Sequence, residues 1–265
     1  MEQFSLVAVD MDGTFLDGNG EIPPGFADTL AALSERGIAF TPASGRQLAT
    51  LRNIFAPYDG NFDFIAENGT VVAAGDQLID ITPLDTAAVA AIVDLCEREP
   101  ERFAVVVCMP ETSYMDSTNP VARREIEIYY HALELIDDLR ELDYSRVVKL
   151  AVFCFTPGSE TDYQAIKEAA AGQHCVASSP YWVDVMDPTA NKARALETLA
   201  RHHGFSVENT IAFGDYLNDL ELLQTAGRSY AMDNAHPEVK KIADEIVPPN
   251  TEYGVIQTLD RLLGR

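Results

Sequence analysis

Two aspartates stand two residues apart in Asp10-Met11-Asp12-Gly13-Thr14, directly behind the apolar run Ser5–Val9. Such a run reads as a buried strand, and Gly13 as the start of the loop that follows it. In an open parallel sheet, ligands bind beyond the carboxyl ends of the strands. Within a continuous strand the two carboxylates would share a face, but here the chain turns at Gly13. Their roles can then differ. One can stay ionised as nucleophile or metal ligand, while the other is held protonated and serves as acid and base. A solvated Asp-Gly turn has the same residues, so this motif alone leaves both readings open.

Three other groups sit at comparable places. Ser44-Gly45-Arg46 follows the apolar stretch Ile38–Ala43. A hydroxyl and free backbone N–H groups at a helix N-terminus suit a phosphate, although Ser is also a common N-cap. Asn191-Lys192 opens a helical pattern. A Lys there opposes the helix dipole, and an anion at the same place would offset it; an exposed Lys on a solvated helix reads alike. Gly214-Asp215-Tyr216-Leu217-Asn218-Asp219 follows the run Thr210–Phe213. Its oxygen-bearing side chains around a Gly turn suit a hard cation such as Mg²⁺, or they cap a helix. Taken together the four groups fall at strand ends on one edge of a sheet. A nucleophile, a hydroxyl donor, a cation and a metal-binding acid pair are the parts that phosphoryl transfer needs.

The elements that must hold these groups alternate. Strand Ser5–Val9, a helix from Pro23 to Gly37, strand Ile38–Ala43, a helix through Leu48, Leu51 and Phe55, and strand Phe62–Ala66 predict parallel strands with right-handed crossovers. Asn68-Gly69 signals a hairpin into Val71-Val72, with a further strand at Leu78–Ile81. From Leu84 to Tyr181 a second pattern runs. It has helix Ala87–Glu99, strand Phe103–Cys108, helix over much of Arg123–Leu139, strand Val147–Phe155, helix Asp162–Ala171 and strand Cys175–Ala177. After Asp184–Met186 the first pattern resumes with helix Ala193–His203, strand Thr210–Phe213, helix Asp219–Thr225, strands Arg228–Met232 and Glu245–Val247, and helix Tyr253–Leu263. The expected fold is α/β: a doubly wound, Rossmann-like parallel-sheet core from residues 1–83 and 184–265, with an α/β cap, residues 84–183, inserted in it.

Bulk composition agrees with a globular protein of one large or two moderate domains: 265 residues, 47% hydrophobic and 23% charged. The net charge of −23 disfavours nucleic acid and anionic membrane as partners. A small phosphate ester is still admissible, because one bound divalent cation can dominate the local field. Cys96, Cys108, Cys154 and Cys175 form no CxxC pair, which argues against a zinc or thiol-redox centre. The N-terminus has no basic, apolar leader and no stretch approaches the ~20 apolar residues of a membrane span, so the cytoplasm is the expected location.

The four motifs, in this order, resemble the haloacid dehalogenase superfamily, and specifically its Cof-type, type IIB branch. Asp10-Met11-Asp12-Gly13-Thr14 matches the first family motif, Ser44 the second, Lys192 the third, and Gly214-Asp215-Tyr216-Leu217-Asn218-Asp219 the fourth. Asn68-Gly69 also looks like the family's sequence just before the cap. The resemblance implies Asp10 as nucleophile and metal ligand, and Asp12 as general acid/base with its carbonyl on the metal. It implies Asp215 as the third protein ligand of Mg²⁺, and Asp219 as support for the metal site. Ser44, the Gly45 backbone, Arg46, Lys192 and Asn218 would hold the phosphate. Many relatives carry Thr where this chain has Ser44, and Gly where it has Ala193.

The implied activity is a Mg²⁺-dependent phosphatase acting through an aspartyl-phosphate on small phosphorylated metabolites, either sugar phosphates or cofactor phosphates. A phosphomutase would use the same intermediate. A non-catalytic binding protein would have lost Asp10, Asp12 or Asp215, and all three are present. Arg46, Tyr114, Asp116, Asn119, Tyr129 and His131 are candidate substrate contacts near cap loops, although such residues are more often plain surface.

Overall fold

The structure, a computed structural model, describes residues 4–116, 120–130 and 132–265. The chain divides into two compact units. The first comprises Met1–Gly45, Leu51–Asp80 and Asn191–Arg265; the second comprises Arg46–Thr50 and Ile81–Ala190.

The first unit is built on a five-stranded parallel sheet. In chain order its strands are β1 (Leu6–Val9), β2 (Ala39–Pro42), β12 (Thr210–Gly214), β13 (Arg228–Met232) and β14 (Glu245–Val247). Their spatial order is β14-β13-β12-β1-β2. All four residues of β1 are buried, as are all of β2 and β12. Uninterrupted apolar runs are what a parallel sheet covered on both faces requires. The helices of this unit are α1 (Phe26–Ser34), α2 (Leu48–Phe55), α6 (Lys192–His203), α7 (Leu220–Thr225), α8 (Pro237–Ile242) and α9 (Gly254–Leu263); the first residues of α2 belong to the second unit. Register matters most for the site. Val9 lies beside Phe213 on one side and Pro42 on the other, so the loops after β1, β2 and β12 leave the sheet at the same edge.

The expected third strand, parallel to β2, forms as β3 (Asp63–Ala66), but its continuous ladder lies in a separate three-stranded sheet with β4 (Val71–Ala74) and β5 (Gln77–Ile81). It touches β2 only at the isolated parallel bridges Phe40–Phe62 and Ala43–Ile65. The backbone explains this. Phe40 N–H donates to Asn61 O and Ser44 N–H to Ile65 O, each at 2.9 Å. The donor due between them belongs to Pro42, which has no N–H, so the ladder is broken. β3 and β4 do form the expected antiparallel hairpin.

The second unit carries a six-stranded sheet in the order β10-β11-β9-β6-β7-β8. These strands are β6 (Phe103–Cys108), β7 (Ser113–Asp116), β8 (Leu133–Ile136), β9 (Lys149–Cys154), β10 (His174–Ser179) and β11 (Trp182–Met186). Among the described residues only the β7–β8 pair of this sheet is parallel. Helices α3 (Thr86–Arg98) and α5 (Glu160–Ala169) supply Val89, Ile92, Val93 and Ile166 to a core that also holds Val105, Val107, Leu150, Val152, Val183 and Val185. The expected helix over Arg123–Leu139 is shorter: α4 covers Pro120–Tyr129, and Leu133–Ile136 is a strand. β8 exists because β7 offers it an edge, and β7 itself was not expected. Asn119 and His131 lie outside the described residues. No disulfide joins the four cysteines, and Cys96, Cys108 and Cys154 are buried. Among the described residues no helix is long and apolar enough to cross a membrane.

Phe40 is fully buried among Phe15, Phe26 and Phe55, with ring centroids 5.1, 5.0 and 5.8 Å away. Phe40→Ala is expected to destabilise the protein by about 3–5 kcal/mol, read by urea unfolding. A change below about 1 kcal/mol, the level of a repacked conservative swap, would show that this cluster does not hold the sheet.

Candidate active site

Asp10 is the first residue beyond β1, and its N–H donates to Phe213 O at 3.0 Å. Residues 11–15 make one wide turn, closed by Leu16 N–H on Met11 O at 2.9 Å. The turn needs Gly13, whose φ is +84° and where a Cβ would lie 2.4 Å from Asp215 Oδ2. The bend separates the two aspartates. Asp10 is buried, and Asp12 is exposed.

Lys192 is the first residue of α6, behind the N-cap Asn191, whose side chain accepts from Arg194 N–H. Its side chain is 1% exposed, and its ammonium donates to Asp10 Oδ1 at 2.5 Å and Asp219 Oδ1 at 2.6 Å. The anion expected to offset a Lys at this helix terminus is therefore supplied by the protein itself. Asp219 in turn accepts from the N–H groups of Asp215 (3.0 Å) and Tyr216 (3.2 Å) through Oδ2. It both shapes the loop after β12 and receives Lys192. Asp215 stands beside them, with Thr14 Oγ1 donating to its Oδ1 at 2.8 Å.

The carboxylates of Asp10, Asp215 and Asp219 offer oxygens that all lie within 4.8 Å of one another. Burial pushes the Asp10 carboxyl well above its ordinary range; Asp219 adds to this, and Lys192 opposes it. Burial also raises Asp215, against the hydrogen bond from Thr14. Burial alone would lower Lys192, but Asp10 and Asp219 outweigh it and hold the ammonium charged above its usual range. Three acids against one base leave an excess of negative charge when ionised. An all-oxygen donor set with that excess fits a hard divalent cation.

The other expected site residues are placed as follows. Ser44 is buried; its N–H donates to Ile65 O, and its carbonyl accepts from Asn68 N–H, both at 2.9 Å. Gly45 follows it within the first unit, whereas Arg46 belongs to the second. Asn218 is exposed, and its amide reaches Asn68 Oδ1 at 3.4 Å. Asp12 is not in the acidic trio. Of the cap candidates, Tyr114 and Asp116 are half-buried on β7. Two contributors carried no expectation. Thr14 sits inside the first motif, and its position was the available signal. Asn234, which donates to Gly13 O at 2.7 Å, had none, because only folding brings its loop 221 residues back along the chain.

Removing Lys192 leaves Asp10 and Asp219 buried without their cation. In EDTA-treated protein at neutral pH, Lys192→Met is expected to lose about 3–5 kcal/mol of stability. The sign with pH follows from Asp10. Its folded value is raised, so protonation favours the folded state, and that contribution fades as pH rises through the folded value. The variant's deficit should therefore shrink as pH falls toward the carboxylate range. A deficit independent of pH would show that charge is not its origin.

The sequence matches the family model of haloacid dehalogenase-like hydrolases over residues 7–259. Among curated proteins, it is 29% identical to the 5-amino-6-(5-phospho-D-ribitylamino)uracil phosphatase YbjI of Escherichia coli (strain K12), over 97% of this chain and 96% of that one. It is 30% identical to the HMP-PP phosphatase of Escherichia fergusonii, over 89% and 86%. Among solved structures, a crystal structure from Eubacterium rectale superposes with a TM-score of 0.87 at 28% identity, over 98% of this chain and 99% of that one. A haloacid dehalogenase-like hydrolase from Bacteroides thetaiotaomicron gives 0.83 at 24% identity, over 98% and 100%, which bears on the fold alone. The chain, with its parallel sheet and the acidic edge after β1 and β12, belongs to the haloacid dehalogenase-like hydrolase family.

Proposed function

We propose that the protein hydrolyses small phosphomonoesters, with Asp10 as the nucleophile. The observation that carries this reading is the buried Asp10–Lys192–Asp219 chain next to Asp215. In it a carboxylate oxygen at a strand end faces an ammonium and further acids at hydrogen-bonding range. Asp10 attacks phosphorus and the ester oxygen leaves, giving an aspartyl-phosphate. Asp12, exposed beyond the bend, gives its proton to the leaving oxygen and then takes one from the water that attacks the phosphorus and displaces the Asp10 carboxylate, releasing inorganic phosphate. Lys192 offsets charge on the transferring oxygens. Ser44, the Gly45 backbone and Asn218 hold the phosphate, with Arg46 assigned to the same task. Asp10, the carbonyl of Asp12 and Asp215 would hold Mg²⁺, with Asp219 supporting them; when bound, the ion supplies positive charge against the phosphoryl oxygens. The names of two curated relatives, a 5-amino-6-(5-phospho-D-ribitylamino)uracil phosphatase and an HMP-PP phosphatase, support small phosphorylated metabolites as the substrate class, with sugar phosphates and cofactor phosphates within it.

Purified protein with Mg²⁺ and a panel of such esters should release inorganic phosphate, and Asp10→Asn should reduce the rate on the order of 10³-fold or more. Release that survives in Asp10→Asn would remove Asp10 as nucleophile. No release from any ester would remove the hydrolase reading.

Metal binding is tested without turnover. Mg²⁺ at about 100 times its Kd should stabilise the protein by about 2.7 kcal/mol in thermal unfolding. Asp215→Asn should abolish most of that gain, and an unchanged gain would place the ion elsewhere.

A further inference from the structure

The turn between β3 and β4 is more constrained than a hairpin requires. Glu67, Asn68 and Gly69 have φ of +50°, +56° and +96° in succession. Asn-Gly alone accommodates two left-handed residues; Glu67 adds a third, and its carbonyl accepts from Thr70 N–H at 3.2 Å and from Thr70 Oγ1 at 3.0 Å. Such outliers persist only where the surroundings over-determine them, and they cluster at functional sites. The surroundings here are the site's own segments. A Cβ on Gly69 would lie 2.3 Å from Asn191 O, so the turn abuts the backbone that opens α6 and carries Lys192. Asn68 N–H donates to Ser44 O at 2.9 Å. A Cβ on Gly45 would lie 3.1 Å from Asn68 Nδ2 and 3.2 Å from Oδ1, so the amide lies flat against Gly45. Asn218 Nδ2 donates to Asn68 Oδ1 at 3.4 Å.

One amide thus touches a residue after β2 and a residue after β12, both assigned above to phosphate. We infer that Asn68 is a positioning residue of the phosphate-binding edge: it sets where Asn218 and the Gly45 backbone stand. This rests on the phosphatase reading. Asn68 acts through Asn218, so the two should be coupled rather than independent.

The test uses p-nitrophenyl phosphate with Mg²⁺, and inorganic phosphate as competitive inhibitor. Asn68→Gly keeps the left-handed backbone and removes only the amide. Its melting temperature should stay near that of the wild type, while KM and the inhibition constant for phosphate rise about tenfold or more, as a small misplacement produces. Asn218→Ala should show a similar loss, and Asn68→Gly/Asn218→Ala should be no worse than the larger single loss. Wild-type constants in Asn68→Gly, or losses that multiply in the double variant, would overturn the inference. Where Asn68→Gly melts early, Asn68→Asp is measured instead: it retains the turn but puts a carboxylate at the phosphate-binding edge, so KM and the inhibition constant for phosphate should rise about tenfold or more, and wild-type constants would overturn the inference. A wild-type protein that hydrolyses no ester would refute the phosphatase reading alone. The variants are then compared by calorimetric titration with inorganic phosphate and Mg²⁺, where Asn68→Gly should bind about tenfold more weakly. Equal binding, or no binding by the wild type, would overturn the role of Asn68 as well.

Discussion

A single buried ammonium sets the geometry of the first unit's functional edge. Lys192 is almost wholly enclosed, and an isolated charge so placed costs several kcal/mol unless its hydrogen bonds are met. Asp10 and Asp219 meet them from segments 182 and 27 residues away. The end of β1, the start of α6 and the loop after β12 are therefore tied at one point. The tie also resolves the placement of a cation at a helix N-terminus, where the dipole opposes it. The surplus of carboxylate left over is what makes the same point suitable for a divalent cation.

The sheet beneath supplies the common edge. Parallel pairing of β1 with β2 and β12 sends all three following loops in one direction, so residues from distant motifs meet without long connections. Pro42 then ends the sheet's growth. By withholding one N–H it leaves β3 only the isolated bridges Phe40–Phe62 and Ala43–Ile65, while the other edge of β3 pairs with β4 as a hairpin. The tip of that hairpin carries Asn68 back to Ser44, Gly45 and Asn218.

The second unit follows different rules. Its sheet is mostly antiparallel, and one face is covered by α3 and α5. Within it Gln47, only three residues past Ser44, is buried and donates to Ser113 Oγ and Ala132 O at 3.0 and 2.9 Å. The segment that follows the second motif is thereby fastened to β7 and to the approach to β8.

By itself the sequence determined the α/β class, the strands β1, β2 and β12, and the acids and lysine at their ends. These are encoded locally, by apolar runs that must be buried and by Gly turns that stop them. Lys192 as a buried ion was not legible, because an exposed helix-opening lysine has the same neighbours in sequence. The separate sheet of β3 depended on Pro42 acting across strands, and β7 and β8 depend on each other's edges rather than on their own periodicity. α8 had a readable sign in Pro237 at its first turn, but its six residues are too few for a period. Which carboxylate faces Lys192, which stays exposed, and which amide reaches Gly45 were decided only by the tertiary structure. Those are matters of distance between segments about 150 to 200 residues apart, and spacing along a chain carries no such distances.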